Sequence, residues 1–442
     1  MTSLEVQGGI PLNGEVTLSG SAKSAIKILP ATLFTTEEVL LENVPQVVHV
    51  YALTEILKEL GASAEWLEDG RLKLDTSGVD TFRVPYERGL NCHHSLLLVA
   101  PLVFRFGRAI VPLPRPSNVA EETLEQLVVT WRGLGMKVSA DNEWMRVEME
   151  SSKGETLGLD SSDPLVTCNG LLSAAFTEGS TVLTKAAEEA EVDDLLEFLS
   201  LLGVEASRTE PRRIEVTGQK LFKGANYKVR NDINECVYFI VAALLTGGTI
   251  TLKNVDKVAL APFVNVLNKL ETNFEFSGTD LTVWHGGEEF KPLEVSAKPA
   301  PGVLPDWVPS LALLLTQAHG ESVLTSEVPV DWSFVSDFNR LGSGITFLED
   351  SSTEGVSNGS ASTAASASDA PKESPLKGIK LSGPSELKGT TIDIKNVISG
   401  IPLVIAALAA SGKSQIRGYD LIESRYADFT KKLLKLGAKI TE

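Results

Sequence analysis

Cysteine, histidine and aromatic residues are scarce in this chain. Its 442 residues include three cysteines, five histidines and 6% aromatics. Cys92, Cys168 and Cys236 are an odd number and widely spaced, so neither a disulfide framework nor a thiolate metal site is expected, and a reducing compartment fits. The histidines also lack ligand spacing, which leaves no metal site to expect. Basic charge falls short too, since 40 Lys and Arg against 58 Asp and Glu give a net charge of −18. Such a field repels phosphate backbones and acidic lipid, so no nucleic acid and no membrane surface is expected as a partner. No apolar run approaches the ~18 residues of a membrane span. The most apolar stretch, 401–410, reads as a buried helix. The opening residues, MTSLEVQGGIPLNG, have neither a basic start nor a long apolar segment. The expectation is a cytoplasmic monomer that acts on a small molecule.

The 43% hydrophobic content is enough to fill large cores, and 442 residues is about three domain lengths, which predicts two lobes or a repeat. A repeat is visible. Amphipathic helical stretches end at Leu60-Gly61, Leu134-Gly135, Leu202-Gly203, Leu270-Glu271, Leu341-Gly342 and Leu436-Gly437. Each is stopped by a residue able to take a left-handed cap, then followed by one or two alternating strands such as 71–75 and 213–216. A second set of apolar helices ends at Gly107, Gly179, Gly248, Gly320 and Gly412, which are 72, 69, 72 and 92 residues apart. Units of about 70 residues with two helices and several strands are too large for a solenoid. They predict six βα-type units, grouped three and three into two lobes of an α/β fold with a cleft between them. The long last interval holds the Ser/Ala/Thr-rich tract 351–376, which has little to bury and reads as a disordered insertion.

Candidate chemistry lies at the helix starts. In TLSGSAKSAIKILPATL a strand and a small-residue turn lead into a helix whose first turn holds Lys23 and Ser24, the arrangement that attracts an anion. The corresponding early-helix position visits Lys23, His93, Asp163, Asp232, Asp306 and Lys395, at intervals of 70, 70, 69, 74 and 89. With the helices of both lobes pointing inward, these six would meet in the cleft. Aspartate is also a favoured N-cap, so a purely structural account of the three aspartates stands beside this one.

With the strings LSGSAKSA, APLVFRFG, AAFTEGSTVL, LLGVEAS, LPDWVPS and LKLGAKI, the chain resembles the enolpyruvyl transferases nearly end to end. It is more similar to the branch acting on a sugar-nucleotide than to the branch acting on 3-phosphoshikimate. The resemblance implies two lobes, each of three βαβαββ units, the first made of 1–21 with 231–442 and the second of 22–230. It implies no cofactor, with phosphoenolpyruvate as co-substrate. It also places Lys23 on the lysine that contacts phosphoenolpyruvate, Asp306 on the aspartate that takes the acceptor proton, and Asp232 and Glu235 on matching acidic positions. The catalytic loop departs from the family. In PLPRPSNVAEE, Ser117 stands at the family's cysteine and Glu122 at the arginine that follows. His93, Asp331, Asp428 and Lys395 fall where other arginines grip phosphoenolpyruvate, with Arg115 and Arg425 as nearby substitutes. Asp163-Pro164-Leu165 replaces the small turn that holds the sugar-nucleotide, and Thr123-Leu124-Glu125 replaces the uridine-contacting stretch.

Three functions remain open on the sequence. One is a divergent carboxyvinyl transferase in which Lys23 and Lys395 hold phosphoenolpyruvate, Asp306 is the base, and Glu235 or His93 is the acid. Another is a repurposed cleft enzyme that performs acid/base cyclisation, dehydration or isomerisation on a neutral or cationic molecule. The last is a catalytically silent binding protein.

Overall fold

The structure, a computed structural model, describes residues 3–159, 163–348 and 378–441. The tract 351–376 lies outside them. The architecture is a two-lobed α/β fold. One cluster of buried side chains runs through residues 4–18 and 236–438, and another through residues 25–229. Among the described residues no helix is long and apolar enough to cross a membrane.

Among the described residues six small sheets lie in the two lobes, five of four strands and one of three. Their strands follow the alternation in the sequence. In Leu72–Asp75, Leu72 and Leu74 are buried while the residues between and after them are not. The three-stranded sheet belongs to the second unit, where the expected first strand shrinks to a single bridge between Arg83 and Ile110. The helix stops come out as read. Gly61, Gly135, Gly203, Glu271, Gly342 and Gly437 all have positive φ, between 59° and 107°. In the second series Gly247 rather than Gly248 takes the left-handed cap of its helix.

The connectivity differs from the simple repeat. The strand Asn13–Thr17 precedes the helix Ala22–Ala31 in sequence, yet it pairs in parallel with Thr249–Lys253 in the other lobe. Conversely, Ala225–Lys228 precedes the helix Ile233–Thr246 but pairs with Val39–Glu42. Each lobe therefore contains a strand whose chain continues into the other. A strand's partner is chosen by the sheet that buries it, which local alternation does not encode.

In one lobe the apolar helices Ile233–Thr246, Val308–Leu315 and Val397–Ala409 pack against one another. In the other, Ala22–Ala31, His93–Leu98 with Val99–Phe106, and Pro164–Ala174 do the same. Their starts define the interlobe region.

Candidate active site between the lobes

The two crossings of the chain are paired with each other. Gly20 bridges Asn231 in antiparallel fashion, the Ser21 N–H donates to the Arg230 carbonyl at 2.7 Å, and the Asp232 N–H donates to the Ser19 carbonyl at 2.8 Å. A Cβ at Gly20 would lie 1.7 Å from the Asn43 carbonyl oxygen, so a glycine is required there. Below the crossings Glu235, fully buried, accepts from the Ser19 N–H at 2.6 Å and from Lys432 at 2.6 Å.

A cavity of about 670 Å³ opens beside these crossings, within the usual size of small-molecule sites. Residues of both lobes line it, including Lys23, Ser24, Asp232, Asn234 and Asp306. Ser21 caps the helix Ala22–Ala31 by accepting from the Ser24 N–H, which fixes Lys23 in the first turn. Lys23 pairs directly with Asp306 across the cleft. Asn234 donates to the same Asp306 oxygen at 3.2 Å, and the buried Trp307 Nε1 donates to the Asn234 carbonyl oxygen at 2.8 Å. The Trp307 bond orients Asn234, and Asn234 in turn orients the carboxylate.

The charges here shift one another. Although desolvation opposes it, Asp306, Glu191 and Asp232 together raise the Lys23 ammonium above its ordinary value. The Lys23 charge holds the Asp306 carboxyl below the usual carboxylate range despite its burial. Burial, reinforced by the charge of Glu235, pushes Asp232 up to about 6, even though it accepts from the Asn234 and Glu235 N–H groups as N-cap. The cavity wall also carries Glu188, Glu189, Glu191, Asp193 and Asp256, against Arg230, Lys269 and Lys298 beside Lys23. Seven carboxylates thus face four cationic side chains.

Three further contacts among the described residues join the lobes near this cavity. The Ala300 N–H donates to Glu189 Oε1 at 3.4 Å, while its carbonyl accepts from Arg212 Nη2 at 3.1 Å. Arg230 binds Asp194 and Glu197 on its own lobe and Asp256 on the other.

The six helix starts do not all converge. Lys23, Asp232 and Asp306 line the cavity together with Ser24, and Lys23 is paired with Asp306 there. Asp163 caps Pro164–Ala174, accepting from the Leu165 N–H at 2.7 Å and from Thr123 Oγ1 at 3.0 Å; only its neighbour Pro164 lines the cavity. Lys395 lies outside the cap Asn396 and turns toward Asp337, 3.6 Å away. His93 opens a 3-10 turn and stacks near His94. Arg115 and Ser117 sit on an exposed loop, where Ser117 Oγ bonds its neighbour Asn118. Glu122 is exposed in the first turn of Glu121–Gly133. Asp331 accepts from the Ser333 N–H and from Asn396, and Asp428 pairs with Lys431. Arg425 and Asp428 line a second cavity of about 500 Å³ that shares Asp232 with the first. Asn234, Glu189, Arg212 and Arg230 were not singled out from the sequence. Of these only Asn234 carried a signal, lying inside the NDINE string.

Residues 6–370 match the family model described as EPSP synthase (3-phosphoshikimate 1-carboxyvinyltransferase). Two curated relatives are UDP-N-acetylglucosamine 1-carboxyvinyltransferase 1 of Clostridium acetobutylicum and UDP-N-acetylglucosamine 1-carboxyvinyltransferase 2 of Bacillus subtilis. The first is 28% identical over 442 residues, covering 100% of this chain and 99% of the relative. The second is 26% identical over 441 residues, covering 100% and 96%. Among solved structures, the enolpyruvyl transferase NikO from Streptomyces tendae superposes with a TM-score of 0.84 at 24% identity, covering 99% of this chain and 98% of that one. An EPSP synthase from Acinetobacter baumannii gives 0.75 at 17% identity, with full coverage of both chains.

Proposed function

Because this chain belongs to the EPSP synthase family of enolpyruvyl transferases, we propose that it moves the carboxyvinyl group of phosphoenolpyruvate to a hydroxyl of an uncharged or cationic small molecule. The observation that carries this reading is the Lys23–Asp306 pair, drawn from different lobes and set at one cavity. Asp306, ionised and oriented by Asn234, takes the acceptor's hydroxyl proton as its oxygen bonds to the central carbon of phosphoenolpyruvate. A proton delivered to the methylene carbon completes the addition. Asp232 suits that delivery better than Glu235, since it lines the cavity with a pKa near 6 whereas Glu235 is tied to Lys432 and Ser19. Loss of that proton and of phosphate then restores the double bond, now on the acceptor's oxygen. Lys23 holds the anionic donor. Seven carboxylates in the wall disfavour a polyanionic acceptor such as a nucleoside diphosphate sugar.

The same acidic wall favours a second reading, proton-transfer chemistry on a cationic molecule without phosphoenolpyruvate. One assay separates the two: phosphate release from phosphoenolpyruvate across hydroxylated metabolites grouped by charge. Release with neutral or cationic acceptors, and not with sugar-nucleotides, is the expected outcome. Conversion of such a molecule with phosphoenolpyruvate omitted would replace the first reading with the second.

A further inference from the structure

Segment 298–304 joins the strand Glu294–Ala297 to the turn Pro305–Trp307, which carries Asp306, and its residues Lys298, Ala300 and Leu304 stand in the cavity wall. Within it the Lys298 N–H donates to the Val303 carbonyl at 2.8 Å and the Gly302 N–H to the Pro299 carbonyl at 2.9 Å. Ala300, only 9% exposed, lies between Pro299 and Pro301, which have no N–H to give. Backbone buried to that degree needs partners for both of its polar groups. Ala300 finds both on the other lobe, where Glu189 accepts from its N–H and Arg212 donates to its carbonyl.

The two side chains are placed for that reach. Glu189 occupies the N-cap position of the helix Ala190–Leu201, yet its carboxylate makes no capping bond there and is directed to Ala300 instead. Arg212 Nε lies 3.2 Å from Glu188 Oε2, and the Arg212 carbonyl accepts from the Ala186 N–H at 2.9 Å. One short stretch, 186–189, therefore supplies Glu189 and steadies Arg212. On the other side of Asp306, Trp307 is fully buried and bonded to Asn234. Asp306 is thus supported from its own lobe at one end and from the opposite lobe, through segment 298–304, at the other.

We propose that Arg212 and Glu189 are positioning residues for Asp306: by gripping both polar groups of Ala300 they hold segment 298–304, and with it the Asp306 carboxylate, against Lys23 while the lobes are together. The consequence for turnover rests on the reading of Asp306 as the base given above. The positioning itself rests on the contacts. Lobes drawn together around a ligand would complete their own base, and parted lobes would leave Asp306 without its support at Ala300.

The test is carbon-13 NMR of the full chain with labelled aspartate carboxyls, the Asp306 signal being assigned by its loss in Asp306→Asn. Arg212→Met and Glu189→Met each remove one contact. Asp306, held below the usual carboxylate range by Lys23, should titrate at higher pH in both, because nothing then keeps it as firmly against the ammonium. A purely electrostatic influence predicts opposite shifts, since one variant loses a cation and the other an anion. Arg212→Lys and Glu189→Gln, which keep a donor and an acceptor for Ala300, should titrate near the parent. In phosphate release the two methionine variants should lose about tenfold or more in kcat, with KM for phosphoenolpyruvate kept within a few-fold. An Asp306 titration unmoved in both methionine variants, or moved in opposite directions, would overturn the proposal. If it moves upward in both while no acceptor yields phosphate release in the parent, the positioning stands and the transferase reading falls. If the parent releases phosphate and both methionine variants keep kcat within about twofold, the transferase reading stands and the positioning role falls.

Discussion

Lys23 and Asp306 are 283 residues apart in sequence and form an ion pair across the interlobe cavity. Their side chains remain 48% and 25% exposed, so the pair adds little stability, about 1 kcal/mol or less. Its value is positional. Lys23→Ala is therefore expected to abolish turnover while leaving the thermal midpoint nearly unchanged. Asp306→Asn should remove turnover with phosphoenolpyruvate affinity kept within a few-fold, because the amide preserves shape but not basicity. Steady-state phosphate release, read beside calorimetric melting, decides the matter. Normal activity in the lysine variant would remove the cavity from the chemistry.

Arg230 is predicted to matter for stability far more than Lys23. It faces Asp194, which is fully buried, as well as Glu197 and Asp256 on opposite lobes. Arg230→Ala would leave Asp194 without its cation, held by Tyr227, Ser24 and the N–H of residue 230, and should cost about 3 kcal/mol. Chemical denaturation would measure it. A loss below about 1 kcal/mol would mean that Asp194 is already protonated, in the direction in which burial pushes it.

Thiol reagents should fail on the native chain. Cys92, Cys168 and Cys236 are 2%, 0% and 0% exposed, and burial raises all three thiols, Cys92 to about 11. Ser117, at the position where the family resemblance implies a cysteine, offers no substitute nucleophile. Iodoacetamide is expected to label none of them in the folded protein and all three after denaturation. Mass spectrometry showing rapid single labelling in the native state would point to a reactive thiol that this burial does not allow.

The repeat was legible because its punctuation is local. A left-handed cap after Leu60 or Leu202 depends on neighbouring residues, and five of six such stops are glycines. The exchange of Asn13–Thr17 and Ala225–Lys228 between lobes leaves no mark on either strand's own alternation, and the lobe bounds 1–21 with 231–442 and 22–230 came from the family resemblance alone. At the site, helix-start spacing found Lys23, Asp232 and Asp306. It also put Lys395 in the cleft, although one residue outside a cap is enough to turn that lysine toward Asp337. Arg212 and Glu189 reach Ala300 from half-buried positions that nothing in the sequence pattern sets apart from solvated charges.

His49, His93 and His94, whose rings lie together, set the acid limb of stability. The folded pKa values of His49, His93 and His94 are lowered from 6.5, that of His49 to about 4, by burial first and then by Arg425, Lys27 and one another. A depressed histidine contributes stability that is present above its unfolded pKa and is lost as pH falls toward its folded one. Asp232 has the opposite sign. Raised from 3.8 to about 6, it contributes stability that is full below pH 3.8 and lost as pH rises through 6. Between pH 6.5 and 4 three imidazoles therefore work against one carboxyl, and stability should fall by roughly 1–3 kcal/mol. Melting followed by circular dichroism across this range should show the decline, shallower in His49→Gln and steeper in Asp232→Asn, whose amide still caps its helix. A flat profile in the parent chain, or a decline unchanged by His49→Gln, would show that these imidazoles already have a compensating partner.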